Sequence, residues 1–176
     1  MSIQRYSATN GYGGPADAFE DDAGDYVLHT DHAAEVERLT AERDAAVAHS
    51  DIVITATPGG GPLFSQSAVQ PGTHLNCVGA DTAGKRELPE GLLQRVRLFV
   101  DDRSQARSIG ETQWAPDCAC TELGDLISGK DTFTRQAADI TVFDMTGIAL
   151  QDLTVAHWLM QQALASHTGT LLDWPW

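Results

Sequence analysis

The stretch DIVITAT, residues 51–57, decides the fold class of this chain. It is a continuous apolar run, rich in β-branched side chains, that ends in Thr55 and Thr57. A run without polar alternation is typical of a strand that is buried on both faces, as in parallel sheets. We therefore predict a central strand of a parallel sheet at this position.

Similar runs and helical patterns lie on both sides of this strand. Strands are predicted at 25–30, 73–79, 95–101 and 139–147, and helices at 32–50, 119–130 and 148–167. Strands that alternate with helices in this order predict an α/β fold with a mostly parallel, Rossmann-like sheet. Right-handed crossovers would place helices on both faces of that sheet. The length fits a single domain over residues 1–176.

Charge and composition exclude several classes of partner. The formal net charge is −14 and the isoelectric point is near 4.5, which argues against nucleic acid or an anionic membrane, because phosphate binding needs clustered Lys and Arg. No apolar run reaches membrane-spanning length, and residues 1–14 lack the apolar core of a secretory signal, so we expect a cytoplasmic protein. Cys77, Cys118, Cys120 and the six histidines show no metal-ligand spacing, and we expect no metal site.

The N-terminal segment GYGGPA, residues 11–16, fits a variant of the dinucleotide fingerprint. Gly11 would make the tight turn and Gly13 would let the backbone approach a pyrophosphate. Asp31 follows Gly11 by twenty residues, where a carboxylate binds the ribose hydroxyls of NAD, and the lack of an arginine directly after it favours NAD over NADP. The residues before the motif make a poor strand, and those after it, 15–25, predict a short helix crowded with acids. A plain glycine-rich loop is therefore the alternative.

The carboxyl ends of the predicted strands give a second set of candidates. In open parallel sheets, ligands bind beyond these ends. Thr55 and Thr57 end one strand, before a loop with three glycines, and Val78 and Gly79 end the next, so we assign all four to cofactor binding. The alternative is a plain strand-to-loop transition. Asp81 follows Gly79 and should face the same crevice, with a loop aspartate that caps the turn toward Lys85 as its alternative.

From Asp51 onward the chain resembles the ornithine cyclodeaminase/mu-crystallin family. The segments that carry this resemblance, in the family's order over residues 51–154, are DIVITATP, PLF, PGTHLNCVGADTAGKREL, LFVDDRSQA, GE at 110–111, ELGDLISGK and FDMTGIALQDL. The resemblance implies an NAD(P)-binding domain and the chemistry of imines, either reduction of cyclic ketimines or cyclodeamination of amino acids. It also implies that Asp81 is the catalytic carboxylate. We expect Lys85 and Glu87 to hold the loop, as an ion pair or a cap.

The chain departs from the family before residue 51. Members carry a substrate domain ahead of the Rossmann strands, and this sequence has no such segment and about one βα unit too few. We expect residues 1–50 to be degenerate, 51–154 family-like and 155–176 a C-terminal helix and tail. The tryptophans at the end of the chain suggest an interface or the closing of a core: Trp158, Trp174 and Trp176.

These observations predict a truncated, NAD(P)-linked imine reductase or cyclodeaminase that acts on a small amino or imino acid. The missing domain predicts a homo-oligomer or a partner chain that supplies it. The alternative is a non-catalytic remnant that binds a cofactor or ligand or serves as an interaction subunit.

Overall fold

The computed structural model describes residues 5–8, 18–20, 26–27, 29–170 and 172–173, with side chains from residue 32 onward. The chain divides into two compact units, residues 1–50 and residues 51–176. The boundary coincides with the start of the family-like segment. The assignment of residues 1–176 to one domain stays a prediction.

The first unit contains a small antiparallel sheet and one long helix. Its strands are β1 (Arg5–Ala8), β2 (Ala18–Glu20) and β3 (Tyr26–Val27), in the order β2-β1-β3, and its helix is α1 (His29–Ala48). The strand predicted at 25–30 is thus shorter and antiparallel, because helix α1 begins three residues earlier than its pattern indicated. The acidic helix predicted at 15–25 is wrong, since β2 pairs there with β1.

The second unit is a five-stranded parallel sheet with helices, as the sequence predicts. Its strands are β4 (Ile52–Thr55), β5 (His74–Cys77), β6 (Arg97–Val100), β7 (Cys120–Glu122) and β8 (Thr141–Asp144), in the order β4-β5-β8-β6-β7. Its helices are α2 (Arg103–Ile109), α3 (Leu123–Ile127) and α4 (Ala149–Ser166). Short 3₁₀ turns occupy Gln66–Ala68, Leu93–Arg95 and Glu111–Trp114.

The two faces of this sheet differ in burial. Leu75, Leu98 and Val142 lie in register across one face and are at most 4% exposed. On β4, Ile52 and Ile54 point to the opposite face and are 62% and 66% exposed. The prediction of a central strand buried on both faces is therefore wrong: β4 is the outermost strand, and no described strand pairs with it on the side away from β5.

The helical segments correct the sequence predictions in detail. Strand β7 precedes α3 where a single helix was predicted, and Ile127 at the end of α3 is 79% exposed. Helix α4 ends at Ser166, one residue before the predicted end at 167, because His167 adopts a left-handed conformation with φ 53°. None of the helices in the described ranges has the length and apolar character that a bilayer crossing requires.

The apolar side chains of α4 are exposed along the whole helix. Each of the following is at least half exposed: Leu150, Leu153, Val155, Trp158, Leu159, Met160 and Leu164. A helix that packs against a core buries one apolar stripe along its length, and α4 shows no such buried stripe among its described residues. The other two C-terminal tryptophans, Trp174 and Trp176, lie outside the described residues.

Candidate functional site

The carboxyl ends of the central strands meet at one edge of the parallel sheet. Thr55, Cys77 and Asp144 are register partners at the ends of β4, β5 and β8. The loops that follow continue the pairing, because the amide of Val78 donates to the carbonyl of Thr55 over 2.8 Å and the amide of Met145 donates to that of Cys77 over 2.9 Å. The structure thus brings the predicted residues of the β4 and β5 loops to the same edge.

Asp81 lies on the loop after β5 and its side chain is half exposed. Its Oδ1 accepts hydrogen bonds from Lys85 Nζ over 2.7 Å and from the Thr82 hydroxyl over 3.0 Å. Lys85 Nζ also donates to the carbonyl of Gly79 over 3.3 Å, which ties the loop back to the strand. The hydrogen bond from Lys85 lowers the pKa of Asp81, so this carboxylate is ionised at neutral pH.

Glu87 holds the ends of β4 and β5 together. It is fully buried, and its carboxylate accepts from the amide and hydroxyl of Thr57, over 2.6 and 2.8 Å, and from the amide of Gly79 over 3.1 Å. Glu87 therefore holds the loop, as the sequence suggested, although its partners are backbone groups and a hydroxyl. The Thr57 hydroxyl therefore donates to Glu87. Thr55 points to the core face of the sheet and is 2% exposed.

The 3₁₀ turn Glu111–Trp114 clamps the loop that carries Asp81. The buried Glu111 carboxylate accepts from the amides of Glu87, over 2.5 Å, and Leu88, over 3.3 Å. Trp114 Nε1 donates to the carbonyl of Lys85 over 2.7 Å. The amide of Gly84 also donates to Gln113 Oε1 over 2.8 Å, which is a third hydrogen-bonded connection between the turn and the loop.

Asp144, the last residue of β8, holds this 3₁₀ turn in place. Its carboxylate is fully buried and accepts from the amides of Glu111, over 3.0 Å, and Thr112, over 2.8 Å. The Thr112 hydroxyl donates to the same carboxylate over 2.7 Å. Three buried carboxylates, Glu87, Glu111 and Asp144, thus connect β8 to the ends of β4 and β5.

Burial raises the pKa of two of these carboxylates, Glu111 and Asp144. Desolvation raises the pKa of Glu111 to about 7, against the lowering effect of its two backbone hydrogen bonds. Desolvation likewise raises the pKa of Asp144. Burial also raises the pKa of the Cys77 thiol well above its usual value, so Cys77 is a neutral core residue rather than a nucleophile.

Arg86, a cation on the same loop as Asp81, contacts the protein itself. Its Nε donates to the carbonyl of Leu88 over 3.0 Å, and its guanidinium lies 5.3 Å from the centroid of the Trp114 ring. It lines a cavity of about 160 Å³ whose wall includes Glu111.

The remaining predicted cofactor residues belong to the first unit. Gly11 and Gly13 lie outside the described residues, and Asp31 is in the first turn of α1 rather than beyond a strand end. Their roles stay predictions. Sequence reasoning assigned no role to Glu111 or Asp144, although both stand in segments that carry the family resemblance, GE at 110–111 and FDMTGIALQDL. Among the described residues, no group of three His, Cys, Asp or Glu side chains is arranged to hold a metal ion.

Comparison with known proteins gives one family. The model of the ornithine cyclodeaminase/mu-crystallin family matches residues 23–167. The iminosuccinate reductase of Paracoccus denitrificans is 38% identical over 143 residues, which cover 78% of this chain and 42% of that protein. The match begins well before residue 51, so the resemblance extends further into the N-terminal part than the sequence motifs indicated.

Solved structures agree with this assignment. The iminosuccinate reductase of P. denitrificans in complex with NAD⁺ superposes with a TM-score of 0.67 at 32% identity, over 82% of this chain and 49% of that one. An archaeal alanine dehydrogenase dimer with bound NAD gives a TM-score of 0.67 at 29% identity, with the same coverage. This chain spans less than half of the length of these relatives. It belongs to the ornithine cyclodeaminase/mu-crystallin family.

Proposed function

We propose that this chain is the dinucleotide-binding part of an NAD(P)-linked enzyme that reduces imino acids or cyclodeaminates amino acids, with Asp81 as its catalytic carboxylate. The observation that carries the proposal is the position of Asp81: an ionised, half-exposed carboxylate at the carboxyl edge of a parallel sheet. The 38% identity to an iminosuccinate reductase supports the class of reaction.

The residues of the second unit fit the nicotinamide end of a dinucleotide. Gly60 and Gly61, in the loop after β4, have open space where a side chain would stand, which leaves room for a ribose beside the backbone. Val78 is 36% exposed at the end of β5 and offers an apolar contact. Bound NADH would supply the hydride for imine reduction, bound NAD⁺ would accept it from an amino acid in cyclodeamination, and NADP(H) is the alternative cofactor. We assign the diphosphate and adenosine end to Gly11, Gly13 and Asp31.

The low pKa of Asp81 determines the chemistry that we assign to it. A carboxylate that stays ionised is a poor proton donor and a weak base, but it accepts hydrogen bonds and carries a full negative charge. It therefore suits the orientation of a water or an amine against an iminium carbon and the stabilisation of the iminium charge. Lys85 lowers the pKa of Asp81 further below its ordinary value. The proton that a reduced nitrogen needs would then come from solvent.

The exposed apolar side chains of α4 support a further part of the proposal, a homo-oligomer or a partner chain that covers this helix. They equally favour a second candidate function, a non-catalytic interaction or ligand-binding subunit. The two candidates differ in their need for a nicotinamide cofactor, and a binding measurement separates them.

The test begins with fluorescence titrations of the chain with NADH and NADPH. Binding of either cofactor is followed by assays of NAD(P)H oxidation with pyrroline-2-carboxylate and with oxaloacetate plus ammonia. We expect Asp81→Asn to lower kcat while the affinity for the cofactor is retained. The exposed Asp117→Asn is the matched control. Absence of cofactor binding at millimolar concentration contradicts the enzymatic proposal and favours the second candidate.

A further inference from the structure

The three buried carboxylates at the strand ends are compensated in an unusual way. Glu87, Glu111 and Asp144 are each at most 1% exposed. Their described hydrogen bonds come from backbone amides and two threonine hydroxyls, and none of the ion pairs in the described ranges includes them. Burial of a charge without a partner is costly, and these hydrogen bonds offset that cost only while the backbone keeps its position.

The hydrogen bonds form an ordered series. Asp144 binds the amide of Glu111, the Glu111 carboxylate binds the amide of Glu87, and the Glu87 carboxylate binds Thr57 and Gly79. Each acceptor therefore fixes the backbone of the residue that carries the next acceptor. We call this series the carboxylate relay. It connects the end of β8 to the loops that follow β4 and β5.

Two glycines make the relay sterically possible. A Cβ atom at Gly110 would stand 2.6 Å from Asp144 Oδ2, and one at Gly79 would overlap the carboxylate of Glu87. Gly110 has φ −85°, and neither glycine adopts the left-handed conformation. Both are therefore required by the close approach of a carboxylate and not by backbone conformation.

A carboxylate is the only side chain that satisfies this arrangement without rearrangement. The described neighbours of Glu111 and Asp144 in the relay all donate to them, and in its ionised form a carboxylate offers only acceptors. An amide of the same shape would direct an NH₂ group at a backbone N–H. Substitution of Glu by Gln, or of Asp by Asn, therefore breaks one hydrogen bond of the relay and leaves the volume of the core unchanged.

We propose that Glu87, Glu111 and Asp144 are positioning residues, which set the backbone at Thr57 and Gly79 against the nicotinamide end of a bound dinucleotide. This inference rests on the proposed function, because that function supplies the dinucleotide as the ligand. It assigns the geometry of the cofactor crevice to a group on β8, three hydrogen-bonded steps away from it.

The first arm of the test uses the ligand-free chain and does not depend on the function. We expect Asp144→Asn to shift the ¹H–¹⁵N NMR signals of the Thr57 and Gly79 amides, because the relay transmits the change. Thr112→Val removes one donor to Asp144 with little change of volume, and it replaces Asp144→Asn if that variant does not fold. Thr121→Val on β7 is the matched control. Unchanged signals of Thr57 and Gly79 in a folded relay variant overturn the proposal.

The second arm measures the cofactor. We expect Glu87→Gln to raise the Kd for NADH about ten-fold, because the displaced backbone at Thr57 and Gly79 would lose the equivalent of one hydrogen bond to the cofactor, whereas Asp81→Asn should change kcat and leave that Kd unaltered. If the wild-type chain binds neither NADH nor NADPH, the proposed function fails. If the wild type binds and the relay variants bind equally well, the relay proposal fails alone.

Discussion

At the scale of single residues, the site depends on carboxylates in opposite environments. Asp81 is exposed and paired with Lys85, which lowers its pKa, whereas Glu111 is buried, which raises its pKa to about 7. The sequence predicted the first, because Asp81 follows a recognisable strand within a short motif. The roles of Glu111 and Asp144 were not predicted. Glu111 contacts Glu87, 24 positions away, and Asp144 contacts Glu111, 33 positions away, and no local sequence pattern indicates contacts of this range.

The raised pKa of Glu111 predicts a pH dependence of stability. Between the ordinary value of 4.5 and about 7, the folded chain binds more protons at Glu111 than the unfolded chain does. The free energy of unfolding should therefore fall as the pH rises through this window, by roughly 3 kcal/mol at most from this group. Urea unfolding at pH 5 and pH 8 measures it. Glu111→Gln should show a smaller fall, and an equal fall in both proteins would contradict the assignment.

The pairing of Asp81 with Lys85 predicts a titration shift. In Lys85→Met, the pKa of Asp81 should rise, because the largest cause of its lowering is removed. Carboxyl ¹³C shifts followed against pH report this value directly. Lys130→Met is the control, since Lys130 pairs with Asp125 and not with Asp81. If the chain is active, the acidic limb of the kcat–pH profile should shift to higher pH in Lys85→Met, together with the pKa of Asp81. It should not shift in Lys130→Met.

At the scale of elements, the strength of the local pattern determined what could be predicted. Strands β4, β5, β6 and β8 lie within runs that contain several apolar side chains, and α4 lies within a long helical pattern, so each was found with its ends displaced by a few residues. Strand β7 has only three residues and no apolar run. Helix α2 was missed because it is seven residues long and buries only Ala106.

The N-cap of α2 gives a prediction at this scale. The Asp102 side chain accepts from the amide of Gln105 over 2.7 Å. Asp102→Ala should lower the free energy of unfolding by about 1 kcal/mol, the usual effect of losing such a cap. Denaturant unfolding at neutral pH provides the measurement. The exposed Asp117→Ala removes the same charge without a cap, and an equal loss in that control would show that charge, not capping, is responsible.

At the scale of the whole molecule, two compact units with separate sheets make up the chain. The second unit has its own buried core, centred on Leu75, Val100 and Val142. We therefore expect residues 51–176 to fold without residues 1–50. Circular dichroism with urea should show a cooperative transition for this fragment. A gradual, non-cooperative loss of signal would mean that the core needs the first unit.

The exposed helix α4 predicts association in solution. We expect the full chain to be larger than a monomer by size-exclusion chromatography with light scattering. Leu153→Lys should reduce the mass, because it places a charge in the apolar surface of the helix. Gln161→Lys adds the same charge at a polar position of α4 and serves as the control. A monomeric wild type, or equal masses for both variants, would contradict an interface on α4.

The outer position of β4 has a practical consequence. A strand that has no described partner on one side and two exposed isoleucines resembles the segments that stack into intermolecular cross-β assemblies. Residues 51–57 contain neither lysine nor proline, the residues that commonly block such stacking. Concentrated or slowly refolded samples are therefore prone to fibril growth nucleated at this segment, and a lysine at position 54 would be the simplest protection.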